Sequence, residues 1–228
     1  IQRRELGSGH EEVGRTWQAR GGIVEEAADP SGAVELFREA LAILEARRGP
    51  DDPATAETVN NLASVHVQLA DYDEALPMLE RALAIKERSF GAGHPETASA
   101  LYNLAILHRR ETRYDTAAAL YRRALAIRQS VLGADHPAVA RTVNGLAITY
   151  MRLENTDSAE ALWLRSLADK ERILGPDHPD LANTVNNLGA LYAQQGRVAE
   201  ADPMFAGASP IRLRGLGTEH PGAAASPG

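Results

Sequence analysis

Gly133-Ala-Asp-His-Pro137 recurs in closely similar form along the chain, at a constant spacing. Each copy ends in proline, and the prolines lie 42 residues apart. The 228 residues therefore have room for about five repeats, and each copy predicts a boundary between two of them. The other copies are Gly91-Ala-Gly-His-Pro95, Gly175-Pro-Asp-His-Pro179, Gly217-Thr-Glu-His-Pro221 and the weaker Gly49-Pro-Asp-Asp-Pro53.

The residues between two boundaries carry the pattern of two amphipathic helices. Pro95 suits the first position of a helix, where its missing N–H has no partner to lose. The apolar spacing then predicts that the first helix ends near residues 111–113 and that a second helix covers residues 114–132. Gly133 in a left-handed conformation would end that second helix. One such hairpin cannot bury both of its apolar faces, so successive repeats must stack, and the absence of any strand pattern predicts an all-α fold.

The ends of the chain depart from the repeat. Arg20, Gly21 and Gly22 occupy first-helix positions that are mostly apolar in later repeats. Gly207 and Pro210 fall inside the last predicted helix, where an interior proline costs about 3 kcal/mol. We therefore expect one solenoid over residues 1–228 with degenerate first and last repeats and a disordered tail. Its repeats are predicted at about 11–52, 53–94, 95–136, 137–178 and 179–216, and the tail at 217–228.

Composition excludes several classes of function. A formal net charge of -7 is too acidic for a general binder of nucleic-acid backbones. No apolar run approaches the roughly 18 residues that cross a bilayer, and the absence of cysteine excludes disulfides, thiolate metal sites and cysteine nucleophiles. We expect a cytoplasmic protein with no nucleic-acid or membrane partner, and a chain that forms part of a longer protein.

The motifs inside the repeat resemble those of a known family. Asn144-Gly-Leu-Ala147 and Asn186-Asn-Leu-Gly189 are each followed by a triplet that ends in tyrosine, Ile-Thr-Tyr150 and Ala-Leu-Tyr192, and alanine and bulky residues follow in fixed columns. Together with the 42-residue period and the Gly-x-x-His-Pro boundary, this pattern resembles the tetratricopeptide repeats of kinesin light chains and their bacterial relatives. The resemblance extends from residue 6 to about residue 216. It implies a right-handed α-solenoid of about five stacked helix-turn-helix repeats, whose first helices line a concave groove, and a non-catalytic scaffold that binds a protein or peptide. A composition rich in Arg, Ala and Gly adds the expectation of a bacterial source.

The boundary histidines suggest a metal or acid–base site, but their spacing argues against one. Equivalent points of stacked repeats lie about 10 Å apart, whereas zinc–nitrogen bonds measure about 2.0–2.1 Å. We expect these side chains to pack in the turn and cap the following helix, and we expect no catalytic residue, metal or cofactor. No phosphate-binding glycine loop, G-x-S-x-G or H-E-x-x-H motif is present. A hydrolase that uses the boundary histidines would lose activity when His136 or His178 is changed. The four histidines are His94, His136, His178 and His220.

Polar residues of the predicted first helices form a candidate peptide-binding groove. Asparagine is a poor residue inside a helix, and on a helical wheel the asparagines lie opposite the apolar stripe. Amide groups donate and accept hydrogen bonds, which suits the backbone of an extended peptide, and the resemblance implies that role. Neighbouring arginines predict an acidic ligand. We expect Asn144→Ala to weaken binding without changing the melting behaviour. The groove residues are Asn60, Asn61, Ser64, Tyr102, Asn103, Arg109, Arg110, Arg141, Asn144, Arg152, Asn186 and Asn187.

Other interpretations of these residues stay open. The alternative for the asparagines is that they are solvated residues copied by duplication, and for Arg109, Arg110 and Arg152 that they are charges that favour a helix C-terminus. The alternative function is that of a regulatory or sensor segment of a larger signalling ATPase or caspase-like protease, as in bacterial relatives of this repeat.

Overall fold

The computed structural model of the chain describes residues 30–176 and 178–206. Every regular element in these residues is helical, which confirms the predicted all-α class. A 3-10 turn at Pro179–Leu181 leads into α8. The helices are α1 (Pro30–Arg48), α2 (Pro53–Gln68), α3 (Tyr72–Phe90), α4 (Pro95–Arg110), α5 (Tyr114–Leu132), α6 (Pro137–Arg152), α7 (Thr156–Leu174), α8 (Ala182–Gln194) and α9 (residues 198–206).

Each repeat consists of a first helix (α2, α4, α6 or α8) followed by a second helix (α3, α5, α7 or α9), and α1 is the second helix of the repeat before α2. The predictions for Arg20 to Gly22, Gly207, Pro210 and the tail lie outside the described residues. No helix within the described ranges is long and apolar enough to cross a membrane.

The turns between repeats have the predicted geometry. Gly91, Gly133 and Gly175 have φ values of 90°, 82° and 88°, and each lies immediately after a second helix. Prolines 53, 95 and 137 then begin α2, α4 and α6, and Pro179 begins the 3-10 turn. Side chains before these prolines accept a hydrogen bond from the helix that follows, so the predicted capping role is confirmed for His94, His136 and His178. His220 lies beyond the described residues.

The tight turns within repeats contain a second left-handed position. Ala70, Thr112 and Glu154 have φ values of 61°, 62° and 59°, and Gly196 occupies the fourth equivalent position with φ 73°. The next residue closes the turn by donating its N–H to a carbonyl five residues back, as Arg113 does to His108 over 2.8 Å. Left-handed geometry costs a residue with a Cβ roughly 1–2 kcal/mol, so three turns are strained where glycine would not be.

The chain divides into two compact parts, Ile1–Ile127 and Arg128–Gly228. In the N-terminal part, Leu79 packs with Leu104 and Leu107, and Phe37 packs with Leu62. Leu104 is buried, with 6% of its surface exposed.

The C-terminal part has a core of its own. Trp163 packs with Leu188 and Leu191, and Leu146 is buried, with 2% of its surface exposed. Phe205 of α9 lies against Gly189 of α8, where an added Cβ would approach the Phe205 ring to 2.9 Å. Position 189 therefore holds glycine, because a larger residue there would displace the Phe205 ring.

Cations that are buried (Lys86 and Arg128) or half-buried (Lys170) join α3, α5 and α7 to the start of the repeat that follows. Lys86, Arg128 and Lys170 are spaced by the repeat, and each reaches a residue ten positions further along. Lys86 donates to the Glu96 carboxylate over 2.7 Å, whereas Arg128 donates to the Ala138 carbonyl over 3.2 Å. Lys170 donates to the Asp180 carbonyl over 3.0 Å, and burial lowers the pKa of this lysine. The sequence pattern had not led us to predict this column.

Candidate functional site

Asparagine side chains of neighbouring first helices bond directly to each other. In the N-terminal part, Asn103 Nδ2 donates to Asn60 Oδ1 over 3.1 Å. In the C-terminal part, Asn187 Nδ2 donates to Asn144 Oδ1 over 2.7 Å. Both bonds join residues 43 positions apart and run in the same direction, so we call them the amide pairs. These predicted groove residues therefore also hold successive first helices together.

The amide pair changes the interpretation of Asn60. This residue is 7% exposed, so the helical-wheel prediction that it points away from the core is wrong. A wheel treats one helix alone, whereas Asn60 is covered by the helix of the next repeat, whose Asn103 takes its amide oxygen. The other predicted asparagines, Asn61, Asn103, Asn144, Asn186 and Asn187, are half-buried, as is Ser64, whose hydroxyl donates to the Asn60 carbonyl over 3.0 Å.

Asn144 has a second donor. The indole Nε1 of Trp163, which is 2% exposed, donates to Asn144 Oδ1 over 3.1 Å. A carbonyl oxygen has two lone pairs, so Trp163 and Asn187 together saturate it. A ligand that contacts Asn144 is left with the amide nitrogen alone.

An aromatic pair occupies the equivalent positions in the N-terminal part. Tyr102 replaces asparagine, and its ring meets that of Tyr121 edge-on, with centroids 5.6 Å apart. Tyr102 precedes Tyr121 by 19 residues, the same separation as Asn144 and Trp163. Burial raises the pKa of Tyr121, against the opposing effect of the Arg109 guanidinium that hydrogen-bonds its hydroxyl. Buried second-helix aromatics therefore support polar first-helix positions in both parts, a role that the sequence pattern had not led us to assign to them.

The four predicted groove arginines share one property. They are all the lysines and arginines of the first helices, and within residues 30–176 and 178–206 none has a carboxylate within 4.0 Å. Arg109 is half-buried, and its Nε is buried without a hydrogen-bond partner in the described structure. The other three, Arg110, Arg141 and Arg152, are exposed.

Second-helix arginines contrast with these four, because most of them pair with an acid, and several of those acids belong to the preceding repeat. Arg81 contacts Glu45 over 2.7 Å, and Arg172 contacts Asp135 over 3.3 Å. Arg123 and Glu87 form an equivalent pair. The exposed cations of second helices are thus largely neutralised within the fold, and those of first helices are not.

Histidines at the ends of α2 and α4 are buried and lie against acids. His66 Nδ1 lies 2.9 Å from the Asp71 carboxylate. His108 Nδ1 lies 3.7 Å from Glu111 Oε2. Neither His108 Nδ1 nor Glu111 Oε2 has a hydrogen-bond partner among the described residues. Burial lowers the pKa of His108, and the Arg113 charge adds to this effect. Across the described residues, no group of three or more potential ligands could hold a metal ion.

The matching positions of the C-terminal part hold tyrosines. Tyr192 donates its hydroxyl to Glu160 over 3.0 Å, and the Arg197 guanidinium lies 4.2 Å from the centroid of its ring. Hydrogen bonding from Arg197 lowers the pKa of Glu160. Arg197 also bonds Glu160 directly, at 2.8 Å, so this cluster closes the tight turn before α9.

Comparison with known proteins supports this architecture. The family model described as tetratricopeptide repeat matches residues 32–88, 54–130, 96–150 and 139–214. No curated protein sequence matches the chain.

Solved structures share the fold. BtubC (BKLC) from P. vanneervenii is 25% identical, with a TM-score of 0.78 over 98% of this chain and 88% of its own. A Podosopora anserina protein of kinesin-light-chain type with nearly identical TPR-like repeats is 21% identical, with a TM-score of 0.80 over 90% of this chain and 97% of its own. Rap protein complexed with Competence and Sporulation Factor is 15% identical, with a TM-score of 0.70 over 87% of this chain and 52% of its own.

Proposed function

Because the chain belongs to the tetratricopeptide-repeat family, we propose that it is a non-catalytic scaffold whose first-helix surface binds an extended, acidic segment of a partner protein. The observation that carries this proposal is the contrast between the two helix types. Arginines of the first helices lack acidic partners within the described residues, whereas most arginines of the second helices are paired. Uncompensated cations of the first helices favour an anionic ligand in each part.

The amide pairs give this surface its contacts to a peptide backbone. Each pair fixes the orientation of its asparagines, since the Nδ2 of Asn103 or Asn187 is directed at the preceding repeat. Their Oδ1 atoms remain as acceptors for peptide N–H groups, and the nitrogen of Asn144 remains as a donor for a peptide carbonyl. Backbone contacts would hold an extended segment, and the arginines would select its acidic side chains.

A structural neighbour is compatible with ligand binding by this fold. The Rap structure was solved as a complex with Competence and Sporulation Factor. Its identity to this chain is 15%, so the comparison supports the capacity of the architecture to hold a ligand and does not identify the ligand.

The test uses a partner segment obtained by affinity capture with the wild-type chain. Binding of that segment is measured by titration calorimetry for wild type and for Arg109→Ala/Arg110→Ala, at low and at high salt. Each partly exposed charge contact contributes up to about 1 kcal/mol, so the double variant should bind roughly tenfold more weakly at low salt, and the difference should shrink at high salt.

The matched control is Arg122→Ala. Arg122 is an exposed second-helix arginine with no carboxylate within 4.0 Å in the described structure, so its removal changes the charge without breaking an ion pair. Its affinity should stay at the wild-type value. If Arg122→Ala weakens binding as much as the double variant does, the effect is due to overall charge and not to the position of the arginines. If the double variant does not weaken binding, the site lies elsewhere.

A further inference from the structure

The histidine caps require a particular protonation state. His94, His136 and His178 each accept a backbone N–H at Nδ1, over 3.2, 3.1 and 3.2 Å. A backbone N–H can only donate, so Nδ1 must carry the lone pair and the ring proton must lie on Nε2. All three caps therefore exist only with a neutral imidazole.

Protonation would remove the acceptor and place a positive charge at the helix N-terminus, where the helix dipole disfavours it. The equivalent residue before α2 is Asp52, whose Oδ1 accepts the Ala54 N–H over 2.8 Å. Histidine ordinarily takes up its proton near about pH 6.5, whereas aspartate does so only near about pH 4. Among the boundaries in residues 30–176 and 178–206, the same turn is thus built once with an acid-resistant cap and three times with an acid-labile one.

We propose that the repeat boundaries at His94, His136 and His178 form a proton-responsive device, which releases the first turn of the following helix in mild acid while the boundary at Asp52 stays closed. This regulation is independent of the ligand proposed above.

A second hydrogen bond, from a threonine hydroxyl, is present at some boundaries and should reduce their response to acid. At the first two boundaries a threonine hydroxyl donates to the boundary glycine: Thr55 to the Gly49 carbonyl over 2.9 Å, and Thr97 to the Gly91 carbonyl over 2.8 Å. The equivalent positions in the next two repeats hold Val139 and Leu181, which have no hydroxyl. His94 is therefore backed by a bond that does not titrate, and His136 and His178 are not.

Charged neighbours distinguish the three rings further. His94 stacks on Phe90 and caps the N–H of Glu96, whose carboxylate is held by Lys86. His178 Nδ1 lies 3.9 Å from the Asp180 carboxylate, which can accept the N–H that protonation creates.

Next to His136, the Asp135 carboxylate pairs with Arg172. His136 therefore lacks both the threonine anchor and an acid within 4.0 Å of its ring in the described structure, and its boundary should respond most strongly.

The experiment measures amide hydrogen exchange by NMR on the full chain, at about pH 7.5 and about pH 5.5, corrected for intrinsic exchange. The Ala138 amide should lose protection roughly fivefold in acid, the loss expected for one helix cap. The Ala54 amide, capped by Asp52, is the internal control and should keep its protection.

His136→Asp is the matched variant, because it copies the Asp52-Pro53 boundary already present in the chain. Ala138 should then keep its protection at both pH values, and His94→Asp should act in the same way on Glu96. Equal acid sensitivity of Ala138 in wild type and His136→Asp would overturn the proposal, as would equal losses at Ala54 and Ala138.

Discussion

The two amide pairs use the same bond but rest on different supports. Asn60 and Asn144 both accept from an asparagine 43 residues later. Nineteen residues after Asn60 stands Leu79, which has no polar atom, whereas Trp163 stands 19 residues after Asn144 and donates its indole N–H to it. The repeat therefore fixes where a groove residue lies, and the second helix beneath it decides how much of that residue is engaged in the fold.

The largest expected effect comes from removing the support itself. Trp163→Ala should lower the free energy of unfolding by about 3–5 kcal/mol, because it deletes a large buried ring and leaves a cavity. Leu79→Ala, the equivalent change in the N-terminal part, should cost about 2–5 kcal/mol. Chemical denaturation measures both, and an unchanged midpoint for Trp163→Ala would contradict its place in the core.

The next effect separates the two pairs directly. Asn144→Ala leaves the Trp163 N–H buried without an acceptor, which costs about 1–3 kcal/mol. Asn60→Ala removes an acceptor only from half-buried Asn103, so its cost should be smaller. The sequence-based expectation that Asn144→Ala leaves melting unchanged therefore does not hold with this geometry. Thermal unfolding of the two variants tests the comparison, and equal losses would mean that the indole bond adds nothing.

A smaller effect of opposite sign is expected at the strained turns. Thr112→Gly should raise the free energy of unfolding by about 1 kcal/mol, since glycine adopts φ 62° without the Cβ penalty. Gly196→Ala, at the equivalent turn, should lower it by a similar amount. If both variants shift the denaturation midpoint in the same direction, left-handed strain does not control the stability of these turns.

The smallest effect concerns pH and contrasts His108 with Tyr150 and Tyr192 at equivalent positions. Burial lowers the pKa of His108 in the folded chain, so below about pH 6.5 the unfolded state binds more protons. The stability that this residue contributes is present above that pH and declines as the pH falls. His108→Tyr should flatten the dependence of the unfolding midpoint between about pH 7.5 and 5.5. If wild type and His108→Tyr show the same slope of unfolding midpoint against pH, His108 does not contribute to the pH dependence of stability.

Much of the fold was predictable because duplication exposes it. The 42-residue period placed the prolines, the positive-φ glycines and the helix caps, each of which depends on a few adjacent residues. The strained turns at Ala70, Thr112 and Glu154 were not foreseen, because none of these residues favours φ above zero. The positive φ at these residues is required to close a tight turn between two helices, and the residues themselves do not favour it.

The site was predictable only in part. The sequence indicated which polar residues belong to the first helices, but it gave no way to see that Asn103 bonds Asn60 across repeats. The same applies to the Trp163 indole, which the sequence marks only as one of the bulky residues in a fixed column. Its 19-residue separation from Asn144, repeated by Tyr102 and Tyr121, was the pattern that could have revealed this contact.

The buried and half-buried cations set a rule for recombining repeats. Each of them reaches a residue ten positions forward, namely the Glu96 carboxylate or the Ala138 or Asp180 carbonyl. Arg128 and Lys170 also donate to the hydroxyls of Thr142 and Thr184. A block exchanged between two boundary prolines therefore supplies a new acceptor for the cation that precedes it. Lys86 differs from the other two, because its acceptor ten residues forward is a carboxylate side chain and not a backbone carbonyl. A shuffled block that places alanine at position 96 would leave a buried ammonium without its carboxylate, at a cost of several kcal/mol. Gene fragments cut at these prolines are interchangeable only when that acidic residue travels with the lysine.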